Sequence, residues 1–177
     1  MAYSPGSLDD IDRLILATLQ DEGRITNVEL ARRAGLTAPP CLRRVRALEE
    51  EGTIQSYHAR LDPRALGYGI TVFAMVSLKS QAEDDLRSFE SHVALLPLVR
   101  ECHMLNGEID FILKIVARDL QHFQDFLTSK LTTIANVESV KTSLTIRTAK
   151  ALPGVPVDED DDSRDALTDS LRRRNRR

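Results

Sequence analysis

The sequence predicts an α+β chain: an N-terminal winged helix-turn-helix followed by a ferredoxin-like β-α-β-β-α-β domain. Three observations predict it. Residues 7–52 hold three short amphipathic segments closed by Gly23, Gly35 and Gly52. From residue 70, β-branched apolar runs alternate with two segments of 3.6-residue period, in the order strand, helix, strand, strand, helix, strand. Between the two regions lie the turn signals Asp62-Pro63 and Gly67-Tyr68-Gly69. The expected organisation is a helical head at 1–61, a hinge at 62–69, a second domain at 70–150 and a charged, disordered tail at 151–177.

In the head, Ser7 is the expected cap of the first helix, with Asp9 and Asp10 in a first turn where the helix dipole favours acids. Leu8, Ile11, Leu14, Ile15 and Leu19 form its apolar stripe. Thr26 and Glu29 read as a capping box for the second helix, with Ile25 and Leu30 as its hydrophobic staple. That helix spans 27–34, and Gly35 stands where a left-handed residue stops it. The third helix begins between Thr37 and Pro40 and runs to about Glu51. Two helices joined by a tight Gly-containing turn have the shape in which the second helix reads DNA. From residue 31 to residue 46 there are five arginines (Arg32, Arg33, Arg43, Arg44 and Arg46) and no acid. With Leu42, Val45 and Leu48 facing inward, Arg43 falls opposite them and Arg44 and Arg46 lie on its flanks. Such guanidinium groups neutralise phosphates or fork onto guanine edges. Pro39 and Pro40 have no N–H for Thr37 to cap, which leaves its hydroxyl for a phosphate or base. Thr37, Pro39, Arg43, Arg44 and Arg46 are therefore the candidate DNA-binding residues. Residues 53–61 read as a short strand or wing, with His58 as an ordinary surface histidine.

In the second domain the expected strands are 70–79, 98–105, 110–117 and 137–147, and the helices 83–96 and 120–134. Asn106-Gly107 is a hairpin signal. The first and third strands are apolar on both faces: Phe73 and Met75 alternate with Val72, Ala74 and Val76, and Ile112 and Val116 oppose Phe111, Leu113 and Ile115. Both helices of this topology cover one face. The other must be buried on something, and sheet-to-sheet dimerisation is the expectation.

Composition bounds the remaining classes. The 177 residues carry a net charge of −3, so any nucleic-acid contact rests on a local patch. Cys41 and Cys102 make neither a disulfide framework nor a metal set, and reduced thiols in a cytoplasmic protein are expected. The N-terminus has acids where a signal peptide needs basic charge, and no apolar run spans a membrane as a helix. There is no phosphate loop, zinc spacing or nucleophile elbow. Cys102 and His103, adjacent on a strand, point to opposite faces. No cofactor and no enzymatic activity are expected. Past residue 153 an acidic run, 158–162, precedes five arginines within 171–177. A solvated tail, a basic extension onto phosphates, and an acidic competitor for the head's arginines all remain open.

Three stretches in order resemble the Lrp/AsnC family of regulators: LDDIDRLILATLQDEGR at the start, APPCLRRVRALEEEGTI around the third helix, and ECHMLNGEIDFILK in the second domain. The resemblance covers residues 7–150. It implies a transcription regulator that binds double-stranded DNA, dimerises through the second domain and assembles further into tetramers or octamers. It also implies a small effector, usually an amino acid, bound between dimers. The family's effector loop corresponds to Asn106, Gly107, Glu108, Ile109 and Asp110, with a second region near Ile134 and Asn136 and with Met104 flanking the loop. Asp110 would pair with an α-ammonium group and Gly107 would let backbone N–H groups approach a carboxylate. The rival reading is an amino-acid-sensing regulatory subunit whose head binds protein. Sedimentation at micromolar concentration tests the two-faced sheet: a dimer or larger species is expected, and a monomer contradicts it.

Overall fold

The computed structural model describes residues 8–157. These form two compact units, one of residues 8–59 together with 151–157 and one of residues 60–150.

The first unit holds α1 (Asp10–Asp21), α2 (Asn27–Arg33) and α3 (Ala38–Glu50). Ser7 lies outside the described residues. Asp9 caps α1: its carboxylate accepts from the Asp12 N–H at 2.8 Å while Asp12 accepts from the Asp9 N–H at 3.3 Å. This reciprocal box was expected at α2 instead. There Thr26 accepts from the Glu29 N–H at 3.2 Å, but the Glu29 carboxylate turns to Arg32 and Arg33. Two guanidinium donors outcompete one backbone N–H because their hydrogen bonds are charge-assisted. Ile15, Leu30, Ala31, Ala34, Cys41, Val45 and Leu48 are the core, with Leu8, Ile11, Leu16, Leu19, Ile25 and Leu36 packed around it. Leu14, expected in the stripe, is exposed, and so is Leu42, whose inward place Cys41 takes. Gly35 has φ +66°, and the Leu36 N–H donates back to the Ala31 carbonyl at 2.8 Å, so the chain leaves α2 through a left-handed stop. The expected wing has no strand: residues 53–61 carry no sheet pairing. Tyr57 instead ties this stretch to α3, its hydroxyl donating to Glu49 at 2.9 Å.

The second unit begins with a single 3-10 turn, Arg64–Leu66. It then runs β1 (Ile70–Leu78), α4 (Glu83–Ala94), β2 (Val99–Met104), β3 (Phe111–Ala117), α5 (Leu120–Phe126) and β4 (Val137–Leu144). The sheet order is β2-β3-β1-β4, with every neighbouring pair antiparallel. After α5 the helix widens into a π turn over Leu127–Leu131, and β4 ends three residues earlier than its β-branched pattern suggested. Val72, Ala74, Val76 and Leu78 of β1 and Phe111, Leu113, Ile115 and Ala117 of β3 are buried with Phe89, Val93, Phe123, Phe126 and Leu131 from the helices. Phe89 and Phe111 are the aromatic centre, with ring centroids 4.7 Å apart. The helix-free face of the sheet is only half covered: Phe73, Met75, Ile112 and Val116 are partly exposed at its middle. On that face Glu101 accepts from Lys114 at 2.6 Å.

The hairpin expected at Asn106-Gly107 forms, with β2 pairing antiparallel to β3 from Met104 opposite Phe111. Neither Asn106 nor Gly107 has positive φ, and the connection from Met104 to Phe111 is a loop closed by the Leu105 N–H donating to the Asp110 carbonyl at 2.8 Å. The left-handed residue other than glycine in this unit is Asn136, at φ 72°. Its side chain accepts from the Ser80 N–H at 3.0 Å and donates to the Ser80 carbonyl at 2.8 Å, while its own carbonyl accepts from the Lys79 N–H at 2.8 Å. Asn136→Ala loses both side-chain bonds and keeps the disfavoured φ, and is expected to cost about 2–3 kcal/mol in urea unfolding. Asn136→Gly relieves the φ and should cost about 1 kcal/mol less.

Candidate nucleic-acid interface and effector site

The head presents one end and one face of α3. The Asn27 side-chain amide donates to the Ala38 carbonyl at 3.0 Å, which pins the start of α3 to the start of α2. Thr37 caps α3 by position only: its hydroxyl makes no capping hydrogen bond, because Pro39 and Pro40 offer no N–H. Thr37 and Pro39 are exposed beside the positive end of the helix dipole, with no acid in the first turn. Arg43 and Arg46 are exposed and have no ion-pair partner among the described residues.

The other three arginines are committed elsewhere. Arg32 and Arg33 sit 2.7 and 3.0 Å from Glu29, and Arg33 also reaches Glu22 at 2.9 Å. Arg44, expected to point outward on the flank of Arg43, turns back onto α1. Its Nη1 donates to Asp12 at 2.8 Å and lies 2.8 Å from the Asp9 carboxylate. The hydrogen bonds it donates to Asp12 and Asp9 hold its pKa above the ordinary value. The reason is register. Arg44 precedes buried Val45 on the side of α3 that packs on α1, and the α1 cap already gathers two carboxylates there. Arg44 is thus a clasp between helices, whereas Arg43 and Arg46 are the donors left for phosphate or base edges.

The effector candidates gather at one end of the sheet, where β1 exits, β3 and β4 enter and β2 ends. Asn106, Gly107 and Glu108 are exposed on the loop, and Met104 is exposed at the end of β2. Asp110 is buried. One of its oxygens accepts from the Leu78 N–H at 2.7 Å and the other from Gln81 Nε2 at 2.7 Å. Its carboxylate is therefore already engaged in joining the loop to the exit of β1. Asn136 is spent in the same way on Ser80, and Ile134 packs against the core. Sequence reasoning missed Gln81 and Ser80. Neither stands in a motif, and only the register of β1 against β3 and β4 brings residues 78–81 between Asp110 and Asn136.

Residues 8–55 match a family model described as winged helix-turn-helix DNA-binding, and residues 71–155 match the Lrp/AsnC ligand binding domain. The leucine-responsive regulatory protein of Rhizobium meliloti is 55% identical over 143 residues, which is 81% of this chain and 92% of that one. The chain belongs to the Lrp/AsnC family. The Bkd operon transcriptional regulator of Pseudomonas aeruginosa is 41% identical, covering 85% of this chain and 98% of that one. Among solved structures, the L-Met complex of a transcriptional regulator from Neisseria meningitidis superposes with a TM-score of 0.82 at 34% identity, covering 85% of this chain and 97% of that one. Escherichia coli AsnC superposes with a TM-score of 0.75 at 26% identity, covering 84% of this chain and 97% of that one.

In this Lrp/AsnC head the ion pairs give a pH signature. Hydrogen bonds from Arg32 and then Arg33 hold the Glu29 carboxyl down to about 2 from an ordinary 4.5. A depressed carboxylate contributes stability above its unfolded value and loses it as pH falls through the folded one. The contribution is present above 4.5 and fades between 4.5 and about 2. Glu29→Gln should melt at lower temperature near neutrality, with its curve converging on wild type across that window. Circular dichroism melts against pH check this, and added salt should shrink the difference.

Proposed function

We propose that this protein is a sequence-specific DNA-binding transcriptional regulator of the Lrp/AsnC type whose assembly or DNA affinity responds to a small effector of the amino-acid class. The observation that carries the DNA half is the outward edge of α3. Thr37 lacks its capping bond, and Arg43 and Arg46 lack ion-pair partners among the described residues, while Arg32, Arg33 and Arg44 are ion-paired. In the reading proposed, α3 enters the major groove, Thr37, Pro39 and Arg43 approach base edges or backbone, and Arg46 contacts phosphate. Arg44 contributes by fixing the angle of α3.

The half-covered face of the sheet, centred on Phe73, Met75, Ile112 and Val116, supports assembly of two copies through their sheets. Two heads in one assembly would read loosely palindromic sites. The effector is placed at the sheet end bounded by Met104, Asn106, Gly107, Glu108, Asp110, Ile134 and Asn136. The methionine bound to the Neisseria meningitidis neighbour supports an amino acid. Asp110 and Asn136 act there as struts, holding residues 78–81 and the 105–110 loop at a set spacing. The effector switches DNA occupancy by binding one assembly better than another.

Capture of sheared genomic DNA, sequenced with and without a mixture of common amino acids, tests both halves. Discrete sites that shift with the mixture are expected. Sites indifferent to it remove the amino-acid sensor, and no enrichment favours a head that binds protein. On a captured site, Arg43→Ala should weaken binding about 10- to 100-fold, and Arg46→Ala should lower the salt slope by about 1. Arg43→Glu should abolish DNA binding and leave amino-acid binding unchanged.

A further inference from the structure

Among the described residues, Asp110 is the one buried charged side chain, 8% exposed. Its main chain is fixed at the sheet end. Its N–H donates to the Val76 carbonyl at 3.0 Å, and its carbonyl accepts from the Leu105 N–H at 2.8 Å. Its two carboxylate oxygens are held unequally. Oδ2 accepts from the Leu78 N–H at 2.7 Å, a backbone donor at the last residue of β1. Oδ1 accepts at 2.7 Å from Nε2 of Gln81, an exposed side chain in the short link between β1 and α4. Breaking the first bond means shifting a strand. Breaking the second takes only the rotation of a glutamine already in contact with solvent.

Both of those donors are neutral, and no arginine, lysine or histidine ion-pairs with Asp110 among the described residues. A carboxylate withdrawn from water gains most from a cation, because opposite charges attract more strongly at low dielectric and a charge-assisted hydrogen bond is roughly twice as strong as a neutral one. The chemistry of the seat selects which cation. A metal ion is a poor match, since no group of three His, Cys, Asp or Glu side chains gathers among the described residues. A guanidinium forks onto both oxygens of a carboxylate, and here Oδ2 is already committed to Leu78. A primary ammonium is compact, carries its own charge and needs only one oxygen. It can take Oδ1 and leave the Leu78 bond in place.

We propose that Gln81 is a displaceable latch at the effector site: its amide occupies Asp110 Oδ1 until the primary ammonium of the effector takes its place. Gln81 then sets both the affinity and the selectivity of the site. The effector gains the difference between an ammonium and an amide at one buried oxygen, and an amine without its charge gains nothing there. Displacement turns a single side chain out of the β1–α4 link while Leu78 and the 105–110 loop keep their places. The exposed surface of this sheet end is thereby altered by ligand. The latch rests on the effector reading proposed above and deepens it.

The test titrates the full chain with each common amino acid in turn by calorimetry, then repeats the best binder as its N-acetyl derivative. In wild type, that amino acid should move the NMR signals of the Gln81 side-chain amide, and the N-acetyl derivative should bind about 100-fold more weakly. Gln81→Ala should bind the amino acid about 3- to 10-fold tighter, because no amide has to be displaced. Gln81→Lys carries its own ammonium to Asp110 and should bind at least about 10-fold more weakly, with a melting temperature no lower than wild type. Unmoved Gln81 signals in the ligand-bound protein overturn the latch, as does a Gln81→Ala chain that binds no tighter than wild type. An N-acetyl derivative that binds equally well, or a Gln81→Lys chain with wild-type affinity, overturns the ammonium seat. The Gln81 signals are read in wild type, so a variant that fails to fold does not decide the matter. A chain that binds no amino acid, either as wild type or as Gln81→Ala, overturns the effector reading itself.

Discussion

The head depends on how its charge is partitioned. Five arginines fall within 31–46 with no acid among them, and left alone they would repel one another across a small three-helix core. Acids from the preceding residues settle which are free. Glu22 and Glu29 take Arg32 and Arg33, and Asp9 and Asp12 take Arg44. Exposed ion pairs of this kind stabilise little, typically under about 1 kcal/mol each. Their consequence is geometric. They remove three guanidinium groups from the surface available to a partner and leave Arg43 and Arg46 uncommitted among the described residues. Arg44 also ties α3 to α1 at a point where apolar packing alone, through Ile15, Cys41 and Val45, would still let the helix roll.

The second unit works by a similar economy at one end of its sheet. Residues 78–81 leave β1 between two struts, Asp110 from the 105–110 loop and Asn136 from the entry to β4. A buried carboxylate is tolerated when its oxygens are hydrogen-bonded, and Asp110 accepts from one backbone N–H and one amide. The exposed loop residues Asn106, Gly107 and Glu108 are thereby hung from a rigid frame. A ligand bound at this end would meet a surface already shaped, and its binding energy would go into changing assembly more than into ordering the loop.

Much of this was legible from local rules. Gly35 and Gly52 stop helices where a left-handed residue was needed, the prolines leave Thr37 without its capping bond, and the order of six elements in the second unit follows from period alone. Local rules failed where one donor or acceptor had two suitors. Glu29 was read as a capping residue and chose the arginines. Asn106-Gly107 marks the β2–β3 hairpin, but what fixes its loop is Asp110, whose carbonyl takes the Leu105 N–H while its carboxylate is drawn to the exit of β1, and no local rule reaches that far. Arg44 was placed outside on a helical wheel, which knows the angle of a side chain and not what another helix puts in its path.

The sequence by itself determined the helix and strand order, the basic character of α3 and the apolar second face of the sheet, because these depend on period, capping and composition over a few neighbouring residues. The tertiary structure alone decided which arginines are spent, what Asp110 and Asn136 hold, and that residues 154–157 seat on Arg13 and Gln20. Each of those pairs residues far apart in the chain, and such a pairing is settled by which groups the packed elements bring within hydrogen-bond reach.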